Sequence, residues 1–219
     1  QERQKEQLLA NTRQFLRDLP ANNALLHGAR GTGKSSLVKA TCNLLAHQGL
    51  HLVEVAKEDL ATLPSLLSCL STRKAKFIIF IDDLSFEEQE TNYKALKAIL
   101  EGSIQGRPTN ILIYATSNRR HLVVETFQER DEIHGSDTVQ EKLSLSDRFG
   151  LNITFSSPDK EEYLAIVHSL AKSFPISSEE LNQRAVEWER RSSGRSGRIA
   201  RQFVLALAGE LGIKPQWLE

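Results

Sequence analysis

Methionine is missing altogether from this 219-residue chain, which opens at Gln1. On that ground we expect a trimmed chain with its methionines replaced or lost, and some loop spacings longer than they read. Cysteine is nearly as scarce. Cys42 and Cys69 are too few and too unpatterned for a disulfide framework or a zinc site. Two buried thiols in a cytoplasmic protein are the expectation. No apolar run approaches the roughly 20 residues that span a bilayer, and no signal-peptide pattern opens the chain, so no membrane partner is expected. Neither charge sign is in excess, with 28 Lys plus Arg against 28 Asp plus Glu. That balance argues against a protein whose main business is coating nucleic acid or anionic membrane, and leaves a local basic patch open.

What is present is an alternation of apolar runs and helical patterns, the signature of a mostly parallel sheet covered by helices. Strands are expected at Ala24 to His27, Leu50 to Val55, Phe77 to Ile81, Ile111 to Ala115 and Leu151 to Phe155. Continuous apolar runs such as Phe77 to Ile81 suit strands buried on both faces. Helices are expected at Lys34 to His47, Leu63 to Leu70 and Tyr93 to Leu100, the second started by Pro64. After Pro158 the pattern becomes purely helical, at Asp159 to Phe174, Glu179 to Arg191 and Arg198 to Leu211. The chain thus divides into an α/β core with an N-terminal helix over 1–158 and a small helical domain over 159–219. Arg119 to Thr138 is polar and patternless, and reads as a loop or irregular insertion.

The strongest chemical signal is Gly28-Ala29-Arg30-Gly31-Thr32-Gly33-Lys34-Ser35, followed by Ser36, a full match to the phosphate-binding loop. Its glycines let backbone N–H groups turn inward around phosphate oxygens, and the following helix adds the positive end of its dipole. Lys34 is placed to bridge the β- and γ-phosphates of ATP, and Ser35 to ligate Mg²⁺. The match sits between a buried strand and a helix, where the chemistry needs it. Next, the apolar run Phe77 to Ile81 delivers Asp82 and Asp83 at its C-terminal end, where ligands of open α/β sheets bind. Asp82 is the expected Mg²⁺ ligand, through the metal's water shell. Asp83 is the candidate that orients or deprotonates the attacking water.

The order of these elements resembles the AAA+ ATPase superfamily over residues 20–219. The resemblance implies a three-layer α/β/α P-loop core with a five-stranded parallel sheet, followed by a helical lid, with ATP between the two. It implies a polar sensor at the end of the fourth strand, which falls on Asn118 in Ile111-Leu112-Ile113-Tyr114-Ala115-Thr116-Ser117-Asn118. It implies an arginine finger in Leu145-Ser146-Asp147-Arg148-Phe149-Gly150, giving Arg148, and a second sensor in Ser196-Gly197-Arg198-Ile199-Ala200-Arg201, giving Arg198. Through Gly31 to Lys39, Asp82 to Glu87 and Ala115 to Leu122 the chain is most similar to a bacterial family of predicted AAA+ ATPases whose name records only an unknown function.

Plainer readings stand beside these. Asn118 suits a turn cap after a strand, and Arg148 suits a surface pair with Asp147 or Glu141. Arg198 lies in a stretch from Arg184 to Arg201 that holds six arginines, which suits a solvated face, a nucleic-acid patch or a partner surface.

If the resemblance holds, the finger serves a neighbouring subunit, so self-association into a ring or open helix is implied. Asp83 stands where the superfamily usually carries glutamate. A carboxylate shorter by one methylene predicts slow hydrolysis, with Glu87 or Glu88 in the next turn as possible helpers. Ala56 to Lys76 holds no aromatic residue, which argues against a protein-threading pore loop. Gly102 to Asn110 is too short for an inserted β-hairpin. What remains resembles the initiator, helicase-loader and clamp-loader side of the superfamily. The expected function is therefore an oligomeric ATPase that remodels or loads a protein or nucleic-acid client. A nucleotide-dependent switch with little turnover is the alternative, and a small-molecule P-loop kinase a third.

Overall fold

The computed structural model describes residues 2–86, 92–101, 108–118, 122, 145–192 and 194–218. Glu87 and Glu88, Glu141, and all of Arg119 to Thr138 except Leu122 lie outside the described residues. The chain divides into two compact units: Gln1–Gly28 with Lys34–Phe155, and Ala29–Gly33 with Ser156–Glu219. The division after Phe155 lies three residues before the expected 158, and the second unit takes in most of the glycine-rich loop.

In the first unit the elements run α1 (Glu2–Leu16), β1 (Ala24–Gly28), α2 (Lys34–Leu45), β2 (Leu50–Glu54), α3 (Leu63–Ser71), β3 (Lys76–Ile81), α4 (Asn92–Glu101), β4 (Ile111–Ser117) and β5 (Leu151–Phe155). The five strands form one parallel sheet in the order β2-β3-β4-β1-β5. The apolar runs are continuous because both faces of the sheet are covered. Leu25, Ile79, Ile81, Ile111 and Ile113 pack on one face against Leu63 and Leu70 of α3 and Leu96 and Leu100 of α4. Leu26, Ile78, Phe80, Leu112 and Tyr114 pack on the other face against Leu8 and Phe15 of α1 and Val38, Cys42 and Leu45 of α2.

Helix α1 is held to the sheet by polar as well as apolar contacts. The buried Tyr114 hydroxyl lies 2.8 Å from Thr12 Oγ1 and accepts from Asn11 Nδ2 at 3.0 Å. Thr12 has a single hydroxyl proton, which it donates to Leu8 O at 2.7 Å, so Tyr114 is the donor of that pair.

Two expectations shift. Helix α2 stops at Leu45 and tightens into a 3₁₀ turn over Ala46–Gln48, because Gly49 takes a left-handed φ of 82° that ends the helix. Cys42 is buried but Cys69 is exposed, so only one thiol belongs to the core.

The second unit holds α5 (Lys160–Leu170), α6 (Ser178–Arg191) and α7 (Gly197–Leu211). Each starts at a side-chain cap, from Asp159, Ser177 and Ser196. Asp159 and Glu162 form a reciprocal capping box, so Asp159 precedes the helix it was expected to begin. Phe174 lies beyond the end of α5 but is buried with Tyr163, Val167, Leu181, Phe203 and Leu207. Among the described residues no helix is long and apolar enough to cross a membrane.

Candidate nucleotide site

Strand order explains why motifs far apart in sequence meet. Strands β3, β4 and β1 are consecutive neighbours, so their C-terminal ends bring Asp82 and Asp83, Thr116 to Asn118, and Gly28 to one edge.

Gly28 is fixed by that edge. Its φ is 134°, and a Cβ there would stand 1.9 Å from the Phe155 carbonyl oxygen on β5. No other residue fits.

Lys34 begins α2 and is only 6% exposed. Its Nζ donates to Gly28 O at 2.8 Å and to Asn118 Oδ1 at 3.2 Å. The other half of the Asn118 carboxamide donates from Nδ2 to Asp83 Oδ1 at 2.5 Å. This orientation is the one that satisfies both neighbours, with oxygen toward the cation and nitrogen toward the carboxylate. Asn118 therefore joins the loop lysine to the second aspartate.

The first aspartate is joined to the loop serine. Asp82 Oδ1 accepts from Ser35 Oγ at 2.6 Å, from Thr116 Oγ1 at 2.5 Å and from the Asp83 N–H at 3.1 Å. The Asp83 N–H is shared with Thr116 Oγ1 at 3.0 Å. Asp83 itself adopts a left-handed φ of 51° and is exposed.

The oxygen set suits Mg²⁺. It consists of one hydroxyl and one carboxylate already in contact, and Mg²⁺ is held by one or two such oxygens plus phosphate and water rather than by a protein cage. Among the described residues no cluster of three or more His, Cys, Asp or Glu side chains forms a competing metal site.

Within the second unit the remaining loop residues have their own contacts. Thr32 is buried and donates Oγ1 to Ala29 O at 2.9 Å, closing the turn. Gly31 has φ 74° and Gly33 φ 93°. A Cβ on Gly31 would meet Ser196 Oγ at 2.8 Å and Arg198 Cβ at 3.2 Å. The start of α7 thus lies against the loop, and Arg198 with it. Ala29 is half-buried, and Arg30 and Ser36 are exposed.

Arg148 is placed elsewhere in the first unit. It follows a helical turn at 145–147, and its Nη2 stands 2.5 Å from Glu101 Oε1 at the end of α4. Among the described residues its partner is thus Glu101 rather than Asp147, and Glu141 lies outside them. Its side chain is 26% exposed, and its buried Nε has no hydrogen-bond partner among the described residues.

The arginine-rich stretch is largely occupied. Arg184 pairs with Glu210 and Glu180, Arg195 with Glu189 at 3.1 Å, and Arg201 stacks over Trp217 at 4.6 Å. Half of its six charges are therefore engaged within the helical unit, which weakens the reading of this stretch as a nucleic-acid patch.

Sequence reasoning did not single out Thr116, Glu101 or Ser196. A threonine in a buried strand is ordinary, Glu101 is 47 residues from Arg148, and Ser196 entered only as the first residue of the box that gives Arg198.

Solved structures share this fold at low identity. The Thermotoga maritima RuvB Holliday junction branch migration motor aligns with 94% of this chain and 69% of its own, at 17% identity and a TM-score of 0.51. The FIGL-1 AAA domain in complex with ADP aligns with 93% of this chain and 69% of its own, at 19% identity and 0.59. The Aeropyrum pernix ORC1 protein in complex with DNA aligns with 94% and 65%, at 14% identity and 0.51. The fold is therefore that of the AAA+ P-loop ATPases. No curated protein is significantly similar in sequence. A family model matches residues 1–211, and on that match the chain belongs to the family described as "Protein of unknown function (DUF815)".

Proposed function

We propose that this chain is an ATP-binding AAA+ module that hydrolyses ATP slowly within an oligomer to remodel or load a partner. The observation that carries the reading is the linked set Gly28–Lys34–Asn118–Asp83 and Ser35–Asp82–Thr116, in which three separate motifs join by hydrogen bonds. Such a convergence has little purpose in an ordinary strand edge.

In this reading the loop N–H groups and Lys34 bind the phosphates, and Ser35 and Asp82 hold Mg²⁺. Held there by Ser35 and Asp82, the metal would neutralise negative charge on the phosphates. Lys34 exchanges its bonds to Gly28 O and Asn118 for phosphate oxygens. Asn118 then turns toward the γ-phosphate or the attacking water, and Asp83 orients that water and accepts its proton. Arg198 stabilises phosphate charge in its own subunit. Arg148 does so from a neighbour, which makes turnover depend on assembly. ATP and Mg²⁺ are the ligands, a second copy of the chain is the first partner, and the client is a protein or nucleic acid.

The test is steady-state hydrolysis across protein concentrations with the Arg148→Ala variant alongside. Turnover per subunit that rises with concentration and collapses in the variant supports the shared site. Tight ATP binding with background turnover in both supports a second reading, a nucleotide-dependent switch. One observation favours that second reading: the short Asp83 carboxylate is engaged by Asn118, so one of its oxygens is already occupied.

A further inference from the structure

Thr116 is 1% exposed at the end of β4, and both its hydroxyl and its carbonyl oxygen are used on the acidic turn that follows β3. A threonine hydroxyl offers one proton and two lone pairs. The proton goes to Asp82 Oδ1 at 2.5 Å, and a lone pair takes the Asp83 N–H at 3.0 Å. The Thr116 carbonyl accepts the Leu84 N–H at 2.7 Å. Three consecutive residues of the turn are thus tied to one side of β4. The middle one, Asp83, holds a left-handed φ of 51°, a conformation uncommon outside glycine, asparagine and aspartate, and these bonds help to hold it.

We propose that Thr116 is a positioning residue for the acidic pair. Its hydroxyl sets the rotation of the Asp82 carboxylate toward Mg²⁺, and through the Asp83 amide it sets the turn that aims Asp83. This rests on the ATP·Mg²⁺ reading above. Ser35 donates to the same Asp82 oxygen, but that hydroxyl is the one a metal would take as a ligand. Once Ser35 turns to the metal, Thr116 is the side-chain donor that still fixes the carboxylate. Partners of metal ligands commonly matter nearly as much as the ligands, at about 10–100-fold in metal affinity.

The experiment measures equilibrium binding of a fluorescent ATP analogue while free Mg²⁺ is raised from chelated to millimolar. The proteins are the wild type, Thr116→Val, Thr116→Ser and Lys34→Ala. Thr116→Val keeps the branched shape and removes the hydroxyl. Affinity without Mg²⁺ is expected to match the wild type, and the Mg²⁺ needed for half-maximal effect to rise by about tenfold or more. Thr116→Ser restores the wild-type Mg²⁺ response. If Thr116→Val fails to fold, as judged by melting and circular dichroism, Thr116→Cys replaces it, with a weak S–H donor in the same space and the same expected loss.

Lys34-dependent binding with an unaltered Mg²⁺ response in the hydroxyl-free variant overturns the role of Thr116 alone. Wild-type binding that Lys34→Ala leaves unchanged, or no binding at all, overturns the nucleotide reading and this proposal together.

Discussion

Arg148 lies against Glu101, Nη2 to Oε1 at 2.5 Å, so the arginine read as a finger is paired within its own chain. Both side chains are partly exposed, at 26% and 46%, and pairs of this kind contribute about 0–1 kcal/mol. Glu101→Gln is therefore expected to lower the melting temperature by at most about 4 °C. If Arg148 acts on a neighbour, Arg148→Ala leaves ATP affinity intact and lowers turnover by roughly a thousandfold in the assembled protein. Differential scanning fluorimetry and a coupled ATPase assay check the two halves. An affinity loss in Arg148→Ala matching its loss of turnover would place the arginine in its own subunit's site instead.

Asp83 separates binding from chemistry. Asp83→Asn is expected to keep ATP affinity within about twofold and to remove turnover, since a general base contributes about 10²–10⁴-fold. Asp83→Glu lengthens the carboxylate by one methylene and is expected to raise turnover, because a misplacement of about 1 Å costs on the order of a hundredfold. Single-turnover hydrolysis checks both. Identical rates for aspartate, asparagine and glutamate would show that the base lies elsewhere.

The sheet was legible in the sequence because its strands are buried on both faces. Phe77 to Ile81 and Ile111 to Ala115 are uninterrupted apolar runs, and their order then confines Asp82, Asn118 and Lys34 to one edge. Helix ends were less legible, since Gly49 ends α2 through a backbone angle and Asp159 caps α5 from outside it. Least legible were the contacts that join motifs. Nothing in the residue types sets Thr116 between Asp82 and the Asp83 amide, pairs Arg148 with Glu101, or lays Ser196 against Gly31. Those depend on strand register and loop geometry, which local pattern does not encode.

Tyr114 ties stability to alkaline pH. Burial pushes its phenol up to about 12, against the lowering effect of hydrogen bonds with Thr12 and Asn11. The folded state favours the neutral phenol, so this contribution is complete below pH 10, the ordinary value, and is lost as pH rises toward about 12. Tyr163 is raised to about 12 by burial too, so two phenols act in the same window. Tyr114→Phe is expected to cost about 1–3 kcal/mol at neutral pH, because Asn11 and Thr12 each lose a partner. It should also flatten, without abolishing, the fall in stability above pH 10. Urea unfolding at several pH values measures both effects.

The two thiols should separate cleanly. Burial pushes Cys42 up to about 11, while Cys69 is exposed. A thiol reagent in mildly alkaline buffer is expected to modify Cys69 rapidly and Cys42 only on unfolding. Rapid modification of both in the native protein would contradict the packing of α2 on the sheet.

The most direct test of the central claim is calorimetric titration of the wild type and Lys34→Ala with ATP in the presence of Mg²⁺, with melting curves confirming that both are folded. Lys34 donates charge-assisted bonds worth about 1.5–3 kcal/mol each. The account predicts saturable one-site binding by the wild type and a loss of at least tenfold, in round terms about 1.4 kcal/mol, in the variant. Equal affinities, or no binding by the folded wild type, would contradict it.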